Sequence, residues 1–126
     1  MEDQERLDKE IGTKEVEKLK PEEVKIEQVE IKPVGEEKKR REKLVCYCKH
    51  SAQEEPIKIS SVRYEKEKEI KTTGLWYNEG DDELIQKGSA LALFLNFVGA
   101  KTIRELEGKS VMTAEDDRGY LCFKAY

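Results

Sequence analysis

Histidine and tryptophan each occur once in these 126 residues, and proline and cysteine three times each. His50 is the only imidazole, so a Ser-His-Asp or Cys-His relay has no credible basis. At the end of a strand this lone histidine is expected at the surface. Long apolar runs are also missing. The longest stretch without a charge, Gly88 to Ala100, falls well short of the ~20 residues a spanning helix needs. The opening Met-Glu-Asp-Gln-Glu-Arg lacks the basic-then-apolar layout of a secretory signal. These absences predict a non-catalytic, cytoplasmic chain with no membrane contact and no cofactor. At 126 residues there is room for one core only.

Charge is what the chain has in quantity, at 41% of residues with a net of −4. Residues 1 to 23 carry nine acids and five bases, which accounts for the whole net charge. The remainder holds nineteen of each and is neutral. The first segment has too few apolar side chains to offset its ordering entropy. It is expected to be an acidic, disordered tail over 1–23, ahead of a single domain over 24–126. Glu and Lys dominate while Asn numbers two and Gln four, the bias of thermophile proteins.

Past Pro21 the apolar residues alternate, which is the strand signal. Val24 and Ile26 lie on one phase and Val29 and Ile31 on the other, so a bulge or bend is expected near Gln28. Leu44 to His50, Pro56 to Tyr64 and Glu69 to Tyr77 read as further strands, and Lys109 to Glu115 and Tyr120 to Ala125 as the last two. Between them Leu91, Phe94, Leu95 and Val98 take helical spacing, with Ser89 as cap and Gly99 as terminator. Leu93 and Phe97 make the far side apolar too, which predicts a helix covered on more than one side. The short links favour antiparallel pairing throughout. Four strands, a helix and two strands suit a small OB-like β-barrel, mainly β, with one buried helix. The alternative is an open antiparallel α+β sheet.

Cys46-Tyr47-Cys48-Lys49-His50 places three potential metal ligands on one strand face, with Cys122 as the only further cysteine. C-x-C on a strand is a poor chelate, and the simpler reading puts Cys46 and Cys48 in the core as small hydrophobes. A disulfide stays open for a thermophile source. Lys87-Gly88-Ser89 has its lysine ahead of the glycine, the wrong order for a phosphate loop, and reads as a helix cap. Asp81-Asp82 and Asp116-Asp117 sit in turns, where Asp binds local backbone.

Aromatic and basic residues interleave on the strands. With Leu44, Cys46 and Cys48 inward, Val45, Tyr47 and Lys49 point outward, as does Lys58 on the next strand. Tyr64, Trp76 and Tyr77 could stack on bases, while Arg40, Arg41, Lys49, Lys58, Arg63 and Lys71 neutralise phosphates. Single-stranded nucleic acid is the expected partner. The other expectation is a protein partner or homodimer, joined through strand edges or the acidic tail.

Gly74-Leu75-Trp76-Tyr77-Asn78, then Ser89, Leu91, Phe94 and Leu95, then Leu106, Gly108 and Lys109 give the last two-fifths of the chain a pattern. It resembles small OB-fold-like single-stranded-DNA-binding proteins of phages and archaeal mobile elements. The matching positions are a cap, a buried face and a turn glycine. The resemblance implies an archaeal or viral source and an OB-like scaffold, and it carries no ligand-contact motif.

Overall fold

The computed structural model describes residues 19–35 and 41–126. Most of the expected tail, and the loop that carries Arg40, lie outside the described residues. Alternation builds β1 (Glu23–Val34), which pairs antiparallel with β2 (Arg41–Lys49). Ile26 pairs with Cys48 but Gln28 with Tyr47, so Glu27 is the extra residue of a bulge. The phase slip at Gln28 is this bulge. It lets Val24 and Ile26 on one side of the slip, and Val29 on the other, all pack on the core.

The two runs expected as single strands each break in the middle. The first becomes β3 (Ile57–Ile59) and β4 (Ser61–Lys66), the second β5 (Glu69–Gly74) and β6 (Trp76–Tyr77). Leu75 joins the breaks: its N–H donates to the Ser60 carbonyl and its own carbonyl accepts from the Leu44 N–H, both at 2.8 Å. Ahead of Ser60 the chain pairs with β2, and beyond it with β5 and with β8 (Leu121–Ala125). Strands that change partners at a bend are how curled sheets turn corners.

With β7 (Ser110–Glu115), the strand order is β3-β2-β1-β7-β8-β4-β5, and β6 adds to the outer edge of β2. The fold is mainly β and the sheet stays open, so the alternative architecture is the one that fits and no closed barrel forms. One pair also departs from the expected antiparallel rule: β4 and β8 run parallel, with Val62 opposite Phe123. Short links dictate antiparallel pairing only between strands that follow one another, and these two do not.

Helix α1 (Ala90–Val98) covers the inner side. The Ser89 hydroxyl accepts the Ala92 N–H at 3.2 Å, and Gly99 ends the helix with φ 77°. Leu91, Phe94 and Leu95 are buried, and Phe94 stacks on Phe123 with centroids 4.8 Å apart. Burying each such side chain stabilises by roughly 1.5–3 kcal/mol. The opposite side is not covered as its apolar residues suggested, since Phe97 is 54% exposed. No helix among the described residues is long and apolar enough to cross a membrane.

His50 is buried, at 2% exposure, against the surface placement its position suggested. Its Nδ1 accepts the Ala52 N–H at 3.0 Å, which leaves the proton on Nε2 to donate to the Lys20 carbonyl at 2.8 Å. Beside it the Ser51 hydroxyl and N–H hold the Glu22 carboxyl below the usual carboxylate range. Thr113 completes the clasp: its hydroxyl donates to the Glu22 carbonyl and accepts the Glu22 N–H. Backbone partners that need an imidazole explain why this histidine is inside.

Candidate nucleic-acid interface

Directly opposed residues in a sheet point to the same face. On β2 the outward phase is Arg41, Lys43, Val45, Tyr47 and Lys49, since Leu44, Cys46 and Cys48 are buried. Their partners on β1 are Val34, Lys32, Glu30, Gln28 and Lys25. Lys58 of β3 stands opposite Tyr47, and Trp76 of β6 opposite Lys43. One face of β1-β2-β3-β6 thus gathers six cations, Lys25, Lys32, Arg41, Lys43, Lys49 and Lys58, against Glu30 and, on the phase of Lys25, Glu23, with Glu27 exposed in the bulge. A neutral body is not neutral everywhere.

Both rings on this face are flanked by cations. Lys32 Nζ lies 5.6 Å and Lys58 Nζ 5.9 Å from the Tyr47 centroid. The Arg41 guanidinium sits 4.1 Å and Lys43 Nζ 5.1 Å from that of Trp76. Such contacts lie within cation–π range. The Tyr47 hydroxyl donates to Glu30 at 2.7 Å, and this bond, helped by the nearby lysines, holds the Glu30 carboxyl below its usual range. Lys32 is raised above its ordinary value by the Tyr47 hydroxyl and by Glu30. A Cβ at Gly74 would stand 2.8 Å from Lys43 Cε and 3.0 Å from Trp76 Nε1, so the lysine side chain would have to move aside to admit one.

Lysines pair head-on in two places, Lys25 with Lys49 and Lys32 with Lys43. Like charges directly opposed destabilise a sheet. Glu30 lies 3.6 Å from Lys32, but neither lysine of the first pair has an ion-pair partner among the described residues. The Lys32–Lys43 pair is offset by Glu30 and by the two rings, whereas the Lys25–Lys49 pair has no such compensation among the described residues.

The structure brings together Tyr47, Trp76, Arg41, Lys49 and Lys58 from the residues expected to bind. The others stand apart. Tyr64 and Tyr77 pack against the core, and the Tyr77 hydroxyl donates to Glu79 at 2.7 Å. Arg63 donates to the Glu115 carbonyl at 3.1 Å, where β7 ends. Lys71 is exposed on β5, opposite Tyr64. Arg40 lies outside the described residues. Lys25, Lys32 and Lys43 join the face although no sequence motif marks them, and extending the β2 alternation back past Leu44 reaches Lys43 and Arg41.

Cys46 and Cys48 lie in the core, where burial raises both thiols, Cys48 to about 12. Cys122 is buried outside that cluster with Sγ 3.5 Å from the Ala114 carbonyl, and burial raises its thiol to about 11. All three are free thiols. Among the described residues no group of three or more His, Cys, Asp or Glu side chains is placed to hold a metal ion. No family model, curated protein or solved structure matches the chain.

Proposed function

We propose that the outer face of β1-β2-β3-β6 binds single-stranded nucleic acid without catalysis. The observation that carries this reading is the gathering of cations around Tyr47 and Trp76, two lysine pairs opposed head-on among them, an arrangement suited to a polyanion with flat bases. Bases stack on the two rings, and Arg41, Lys43, Lys49 and Lys58 neutralise phosphates. The test is anisotropy of a labelled single-stranded oligonucleotide at low and moderate salt, with Trp76 emission followed in parallel. Binding that weakens with salt and quenches Trp76 is expected. No binding at micromolar protein and low salt would end the proposal.

A second reading has its own observation. β5 ends the strand order, and its Ile70 is 44% exposed, so its free edge could pair with another chain. Sedimentation showing a mass that rises with concentration would favour it.

A further inference from the structure

A groove of about 520 Å³ opens beside Trp76, between the β5–β6 segment and the start of α1. Tyr64 and Trp76 line it, together with Thr73 and the amide side chains of Asn78 and Gln86. Volume and make-up suit a small flat ligand that rests on aromatic side chains and meets several polar groups. The polar groups are not equally available. Ser89 is committed, since its hydroxyl donates to the Gln86 carbonyl at 2.7 Å and accepts the Ala92 N–H. The Asn78 and Gln86 side-chain amides make no hydrogen bond among the described residues. Their backbones are fixed, the Gln86 N–H donating to the Asn78 carbonyl at 2.9 Å.

A primary amide offers one acceptor and one donor side by side. Adenine presents the complementary pair, N7 or N1 with the N6 amino group, on both of its exposed edges when it is unpaired. Cytosine offers a like pair on one edge only, and guanine's N7 and O6 are both acceptors. Two free amides beside Tyr64 and Trp76 therefore match one splayed-out adenine best, its larger ring also stacking better than a pyrimidine's. We infer that this groove takes a single unpaired adenine from a strand lying on the Tyr47–Trp76 face, with the base edge read by Asn78 and Gln86. The inference rests on the single-strand reading above and adds base preference to it.

Competition anisotropy on the full chain separates the two. Unlabelled runs of dA, dC, dG and dT displace a labelled dT run from wild type, Gln86→Ala, Gln86→Glu and Asn78→Ala. The dA run is expected to compete about fivefold or more better than the dT run, the low end for a bidentate amide–base contact. Gln86→Ala should bring that ratio towards one, weakening dA competition more than dT competition. Gln86 is exposed, so this variant is expected to keep the wild-type melting temperature, measured alongside. Gln86→Glu, which loses the donor and keeps the shape, should also reduce the ratio. Equal competition by all four runs would overturn the adenine groove and leave the stacking face standing. A dA preference that survives both Gln86 variants and Asn78→Ala would overturn it as well. No binding of any run would remove both readings.

Discussion

The two faces of β2 alternate residue by residue along one strand, yet they answer to different demands. On the inner face Leu44, Cys46 and Cys48 are fully buried and pack with Ile26, Ile59 and Leu75. The outer face sets Lys43 against Lys32 and Lys49 against Lys25, with Tyr47 and Trp76 held among the cations. Each inner residue lowers the free energy of the fold. The Lys25–Lys49 opposition, with no ion-pair partner among the described residues, raises it. A strand can carry both because the pleat separates the two sets by a single residue, and the lesson is that stability and binding should be separable by mutation within one strand.

The largest expected effect is on the inner side. Leu44→Ala should lower unfolding stability by about 3 kcal/mol in a urea titration, the range for a buried leucine that leaves a cavity. A loss well under about 1 kcal/mol would mean that the core is not built on β2. On the outer side, Tyr47→Ala should weaken oligonucleotide binding by about 2 kcal/mol, the worth of one stacked base, with the urea midpoint little changed. If stability falls and binding does not, the division between faces fails.

Alkali tests the inner face without mutation. Burial raises the Cys48 thiol from 9.0 to about 12 and the Cys122 thiol from 9.0 to about 11. The folded state then keeps protons that the unfolded state releases near pH 9. Stability is whole below that pH and falls as pH rises towards the folded values, by up to about 1.4 kcal/mol per pH unit for each thiol. Urea midpoints at pH 8, 9 and 10 should decline in that order, and a flat series would show the thiols to be in contact with water. The smallest effect is Lys43→Gln, which should reduce the salt slope of binding by roughly 0.7, the single-strand value for one neutralised phosphate.

Local features are legible in the sequence because their causes are local. Ser89 and Gly99 bracket the helix through bonds that reach only three or four residues. Asp116 reads as a turn residue, and its carboxylate accepts the Arg118 and Tyr120 N–H groups, both at 2.9 Å. The bulge at Gln28 shows as a slip in alternation. What stays hidden depends on partners far along the chain. Nothing near Val62 announces Phe123 as its parallel neighbour, and nothing near His50 announces the Lys20 carbonyl. The basic face is half legible: alternation gives which side each lysine takes, but the opposition of Lys25 to Lys49 needs the register, which the Glu27 bulge sets.

The seams of the sheet have a consequence for how the protein is made. β1 meets β7 through Val24 and Val111, β4 meets β8 through Val62 and Phe123, and Phe94 of the helix rests on that same Phe123. While the chain is still being synthesised, β1 can pair with β2 and β4 with β5. The seams that β1 and β4 form with the last hairpin wait for it. β1 and β4 meanwhile keep one edge unpaired, and pairing between such distant segments is slow. The nascent chain therefore passes through a stage with open strand edges and no finished core, when chaperones have most to do. The core closes only once the last hairpin is in place.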